Sequence, residues 1–162
     1  MDKTEFVALF GGVFEHSPWI AGAVWDSGLA RRHDTAAGLH RSFREVIRQS
    51  GREEKLALLL AHPELAVGIA SDEQLTESSQ REQRGAGLDR CSPDEFSEFR
   101  KLNTAYREKF GFPFIMAVKG FNRDDILESF RARLENTGDE EFQAAVEQVI
   151  RIGRFRIDSL FN

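Results

Sequence analysis

The chain has 162 residues, enough for one domain with one core. Hydrophobic residues make up 41%, charged residues 30%, and the formal net charge is -5. That balance argues against a nucleic-acid groove, which needs a basic face. No apolar run approaches the roughly 18 residues of a membrane span. The opening MDKTEFVALFGG is too short and too acidic for a signal peptide, and the closing SLFN forms no peroxisomal or retention tail. Cys91 is the only cysteine, so an internal disulfide is excluded, which fits a reducing cytosol. A cytoplasmic protein is expected.

The punctuation along the chain is that of a helical protein. Phe6, Leu9 and Phe10 give a short apolar stripe that Gly11-Gly12 terminates. Ser17 as cap and Pro18 at the first helical position open a second helix, WIAGAVWDSGL. Arg31, Arg32 and His33 read as a solvated helix end. Asp34 is expected to cap a helix that places Leu39, Phe43, Val46 and Ile47 on one face and ends at Gly51. Residues 52–61 form the next helix, with Leu56, Leu59 and Leu60 apolar. Pro63 stops it, because the residue before proline is pushed out of helical geometry.

The polar SSQREQ cluster reads as a short helix after Ser78 or Ser79, preceded by two exposed acids, Glu73 and Glu77. Ser92-Pro93-Asp94-Glu95 is the clearest start signal, a capping box with proline at the first position. Its helix carries Phe96, Phe99, Asn103, Tyr106 and Phe110 on one face and ends at Gly111. Asn122 opens a helix through Ile126, Leu127, Phe130 and Leu134 that Gly138 closes, and Asp139 caps a long final helix. FPFIMAV, residues 112–118, has an extended pattern but no partner strand, so it is expected to be a buried irregular segment or a short helix. The fold class is all-α, a single-domain bundle of about seven or eight helices over residues 1–162.

Several residues are candidates for chemistry. His62 sits at a helix C-terminus, where the macrodipole favours a protonated imidazole, so it suits a proton donor. It also suits a capping role on the last carbonyls. Glu82 reads by count as a surface charge, yet Ser79 and Gln83 can join it in a cluster that reads a polar heterocycle. The adjacent Gly-Ala-Gly allows close backbone approach. Arg156 lies between Phe155 and Ile157. It is either turned inward to meet an anion or paired at the surface with Asp158 or Glu147. Cys91, just before Ser92-Pro93, reads as a half-buried structural thiol.

His33 and His40 are seven apart, with no third ligand of matching geometry. His62 and Glu64 are not at helical ligand spacing. The sequence has no HExxH, Walker loop, GxGxxG or GxSxG, so metal, nucleotide and serine-hydrolase chemistry find no motif. Acid–base groups and electrostatics are what remain.

AHPELA at 61–66, SSQREQRGAGLD at 78–89, LNTAYREKFGFPFIMAVKG at 102–120 and the late RFRI stretch together resemble the 2-oxo-4-hydroxy-4-carboxy-5-ureidoimidazoline (OHCU) decarboxylase family. FVALFGGVFEHSPWIAGAVW at 6–25 resembles the family's opening. The resemblance implies a cofactor-free, all-α homodimer that forms (S)-allantoin from OHCU in urate breakdown. It places the catalytic histidine on His62 and the glutamate of the family's Ser-x-x-Glu-Gln motif on Glu82. Substrate contacts fall on Pro63, on Ser79, Gln80, Arg81 and Gln83, and on Phe114, Ile115, Met116, Ala117 and Val118. The arginine of the family's Arg-Leu motif falls on Arg156, although here the pair is Arg156-Ile157 and Arg154 is close by.

Overall fold

The structure is a computed structural model that describes residues 1–70 and 75–162. Among the described residues it is all-α, with nine α-helices, eight of them of seven or more residues, and no strand. Its contacts divide the chain into two compact units: a terminal unit of Met1–Ala61 with Val149–Asn162, and a central unit of His62–Gln148.

The terminal unit contains α1 (Lys3–Phe10), α2 (Trp19–Asp26), α3 (Ala36–Gln49), α4 (Arg52–Leu60) and the later residues of α9 (Gly138–Phe161). Asp2 and Glu5 form a capping box for α1, which buries Phe6 and Phe10. The Phe6 ring packs 5.5 Å from Trp25. Ser17 does not cap α2, because its hydroxyl donates to the Glu15 carbonyl at 2.8 Å, and the helix begins at Trp19. Thr35, not Asp34, caps α3 by accepting from the Gly38 N–H at 3.1 Å. Asp34 is used up in a 3-10 turn over Arg31–Asp34. Leu39, Phe43 and Ile47 are buried as their spacing requires. In α4 the inner face is Leu58 and Leu59, while Leu56 and Leu60 are exposed. Consecutive leucines fan around a helix, so they cannot all face one side.

His33 corrects the reading of a solvated basic run, since it is buried. Its Nδ1 accepts from the Ala30 N–H at 2.8 Å, and its Nε2 lies 2.8 Å from the Ser42 hydroxyl. With Nδ1 accepting, the ring is neutral and Nε2–H donates to Ser42. Gly153 lets α9 approach Phe14 closely: a Cβ there would fall 2.5 Å from the ring.

The central unit contains α5 (Val67–Ala70), α6 (Glu77–Gly85), α7 (Pro93–Phe110), α8 (Arg123–Leu134) and the first turns of α9. α7 begins with the Ser92–Glu95 capping box and ends at Gly111, whose φ of 80° is left-handed. Asn122 caps α8, which stops at Leu134 and not at Gly138. Thr137, not Asp139, caps α9: its hydroxyl accepts from the Glu140 N–H, and the Glu140 carboxylate accepts from the Thr137 N–H. Residues 112–118 are irregular and buried, the first of the two expected forms and not a short helix. Around them Tyr106 packs edge-on against Phe114 and Phe130, whose own rings stack at 3.9 Å.

Candidate active site

His62 follows α4 by two residues and is 7% exposed. It opens a short loop, and three side chains fix the residues after it. Arg107 on α7 pairs with Glu64 at 3.0 Å. Asn103, one turn earlier on α7, donates its Nδ2–H to the Leu65 carbonyl at 3.0 Å. Gln83 on α6 accepts the Ala66 N–H through Oε1 at 3.0 Å. Ala66 holds φ at 66°, a left-handed conformation that alanine adopts only under such constraint. Pro63 adds its own fixed φ directly after the histidine.

The polar helix α6 starts at Glu77, ahead of both serines and not after one of them. Thr76 is its cap, accepting from the Ser79 N–H at 3.2 Å. Ser79 and Gln83, one turn apart, form the buried face. Glu82 and Gln80 are half-buried and Arg81 is exposed. Gln80 donates to the Leu75 carbonyl at 3.1 Å, so part of its hydrogen bonding is spent on the helix start. Glu73, read as an exposed acid, lies outside the described residues.

Gly87, the second glycine of the Gly-Ala-Gly, has a left-handed φ of 78°. The group that approaches it is Arg123, whose Nη1 donates to the Gly87 carbonyl at 2.9 Å while its Nε donates to Glu95 at 2.8 Å. A Cβ on Gly87 would lie 3.0 Å from that nitrogen. Nearby, the Cys91 thiol donates to the Leu88 carbonyl at 3.5 Å. Burial, helped by Glu95, pushes the thiol up from its ordinary pKa, away from nucleophilic use.

The 114–118 segment is braced from α8 and α9. Arg133 donates to the Ile115 carbonyl and lies over the Phe114 ring at 4.4 Å. Gln148 accepts the Ala117 N–H at 3.0 Å. Arg133 is itself held by Glu141, which also accepts from the Tyr106 hydroxyl and from Asn136. Glu141 is fully buried, so these three donors are what keep its charge tolerable. Burial first, then the Glu141 carboxylate, raises the Tyr106 pKa far above the usual phenol value, and the hydroxyl stays a donor.

Arg156 belongs to the terminal unit and is buried. Its Nη2 meets Glu15 at 2.9 Å and its Nη1 donates to the Val13 carbonyl at 3.1 Å. The inward-facing arginine is therefore correct and the surface pairing is not. Asp158 instead pairs with Arg154 at 2.9 Å. Glu15, Asn103, Glu141 and Arg133 were not singled out in the sequence as site residues. Only Asn103 carried a signal, as one polar residue on an otherwise aromatic face of α7.

Among the described residues no group of three or more His, Cys, Asp or Glu could hold a metal ion. No helix among them is long and apolar enough to cross a membrane.

Fold and site together define an all-α protein with a buried His-Pro loop clamped beside a polar helix. The family model for OHCU decarboxylase matches residues 1–158, and the chain belongs to that family. It is 36% identical over 159 residues to 2-oxo-4-hydroxy-4-carboxy-5-ureidoimidazoline decarboxylase of Halalkalicoccus jeotgali, covering 98% of this chain and 86% of that protein. It is 38% identical over its whole length to the uric acid degradation bifunctional protein PucL of Bacillus subtilis, but spans only 31% of that longer chain. Among solved structures, an (S)-allantoin synthase superposes with a TM-score of 0.77 at 28% identity, over 99% of this chain and 51% of that one. An OHCU decarboxylase crystallised in the presence of (S)-allantoin shares the fold, with a TM-score of 0.74 at 23% identity over 99% of each chain.

Proposed function

We propose that this chain decarboxylates OHCU to (S)-allantoin in urate breakdown, with His62 as general acid/base and Glu82 as a second catalytic residue that holds the substrate's N–H groups. The observation that carries the residue assignment is the buried His62 loop, locked by Gln83, Asn103 and Arg107 next to the helix that bears Glu82. A surface histidine serving only to cap α4 would not need such a frame. Family membership carries the reaction itself.

The substrate supplies its own electron sink. Its C4 carboxylate lies beside a ring C=N at C5, so the electron pair left by departing CO2 flows into that imine. The imine nitrogen takes up a proton with that pair, a second proton goes to one face of C5, and the C4 hydroxyl loses its proton to become the product carbonyl, so one proton is consumed for each CO2 released. His62 manages these protons at the C4 hydroxyl and at C5. Glu82 accepts from the ureido and ring N–H groups, while Gln83, with Ser79, Gln80 and Arg81 on the same helix, supplies donors for the substrate's oxygens, and one face is left open. Pro63 and the apolar segment from Phe114 to Val118 exclude water, which favours loss of CO2 from a desolvated carboxylate.

The same reading takes residues 1–162 as one catalytic domain that works as a homodimer, as the family resemblance implies, and in the cytoplasm, which the single cysteine fits. Light scattering on the purified protein reads the dimer directly.

The central test uses OHCU generated fresh from urate and follows optical rotation. The chain should accelerate (S)-allantoin formation over buffer, and His62→Asn should lose about 10²–10⁴-fold. No acceleration by the parent chain would leave a ureide-binding module instead. Near-full stereospecific turnover by His62→Asn would remove the histidine from the mechanism.

A further inference from the structure

We infer that Asn103, on α7, is a positioning residue that aims His62 by holding the Leu65 carbonyl. This rests on the reading of His62 as the catalytic imidazole. Leu65 C=O and Ala66 N–H are the two polar groups of a single peptide plane. Asn103 grips one edge and Gln83 the other, each at 3.0 Å. Both carboxamides are almost wholly buried, at 3% and 2% exposure. Neither amide can be flipped, because that would set oxygen against the Leu65 oxygen or an NH₂ against the Ala66 N–H. Each has its other polar atom, Asn103 Oδ1 and Gln83 Nε2, buried with no hydrogen-bond partner among the described residues. Two buried, half-satisfied amides are a costly way merely to fill space. They are explained if the orientation of this one peptide matters.

The geometry carries the constraint to the histidine. Arg107 fixes Glu64, Asn103 fixes Leu65 and Gln83 fixes Ala66. With Pro63 rigid by its ring, each residue from 63 to 66 is pinned and the chain entering it, at His62, has little freedom left. Without Asn103 the Leu65 carbonyl keeps only the Val67 N–H, at 2.8 Å across the turn at Ala66, and the peptide can tilt about its remaining hold on Gln83, shifting the imidazole with it. Misplacement on the order of 1 Å can cost about 10²-fold in rate.

Asn103→Asp separates positioning from packing, because the side chains are nearly the same shape. In that variant a protonated carboxyl donates O–H to the Leu65 carbonyl as the amide does, and a carboxylate repels it. Burial raises such a carboxyl's pKa. Among the described residues the charged groups on the loop and on the helices that clamp it include Glu64, Arg107 on α7 and Glu82 on α6, with His62 at the loop's start. The readout is kcat of the variant divided by kcat of the parent, per folded molecule, across pH. The ratio should rise about tenfold or more as pH falls from about 8 to about 5, with KM changed less than about twofold.

Asn103→Ser, which removes the bond without adding charge, is measured in parallel and covers the case in which the acidic variant does not fold. It should lose kcat with KM and folded fraction nearly intact. A pH-independent ratio in folded Asn103→Asp, or parental kcat in folded Asn103→Ser, overturns the inference. His62→Asn is the control for the underlying reading. If that variant stays active, the histidine assignment fails, whereas an inactive His62→Asn with an unaffected Asn103→Ser sinks only the positioning role.

Discussion

The Arg156 guanidinium and the Glu15 carboxylate meet at 2.9 Å with both side chains buried in the terminal unit. They are separated by 141 positions in the chain. A buried pair of this kind is worth little against an apolar replacement of both partners, but removing one partner strands the other charge. Glu15→Ala should therefore lower stability by about 3–5 kcal/mol, read as a drop in the urea midpoint. A loss below about 1 kcal/mol would mean that water reaches the arginine and neutralises the cost.

Two histidines of the terminal unit make its stability depend on pH. Burial lowers the His33 pKa, with help from Arg32. Burial also lowers that of His40, with help from Arg154 and Arg44 and opposed by the bond to the Ile150 carbonyl and by Asp158. The unfolded chain binds these protons near pH 6.5, and the folded chain only below that. Their contribution is thus fully present above about pH 6.5 and is lost as pH falls below it. Unfolding midpoints should decline from neutral pH toward pH 5.5, before most carboxylates titrate. His40→Gln, whose amide can still donate to the Ile150 carbonyl, should flatten the decline. An unchanged slope would assign the effect elsewhere.

Gly153 sits where α9 meets the Phe14 ring, with room for a hydrogen and not for a methyl. Gly153→Ala should cost about 1–3 kcal/mol through overpacking, despite alanine's better helix propensity. Combining it with Phe14→Leu should recover part of that loss, since the two changes share one contact. Thermal melts of the single and double variants decide it. A stabilised Gly153→Ala would show that propensity outweighs the clash.

Much of the fold was legible because its punctuation is local. Ser92, Pro93 and Glu95 mark the start of α7, and Gly111 marks its end, each through chemistry within one turn. Where two neighbours can both cap, sequence picks the wrong one: Thr35 replaces Asp34 and Thr137 replaces Asp139. α5 is only four residues long and offers no period to read. At the site, His62, Ser79, Glu82 and Gln83 stand out by type and motif. What holds them does not, because Asn103 to Leu65, Gln83 to Ala66 and Arg133 to Ile115 all end on backbone atoms far away in the chain. A backbone carbonyl has no signature in the sequence. The flanks of Arg156 leave an inward anion and a surface partner both open, and only folding selects the inward one and makes it Glu15.

The aromatic side chains are divided in a way that has a practical use. Both indoles, Trp19 and Trp25, lie in the terminal unit, and the one phenol, Tyr106, lies in the central unit. Emission from the first and absorbance of the second report on separate regions of an unlabelled sample. A melt followed with both signals will tell whether the two regions lose their order in one step or in succession.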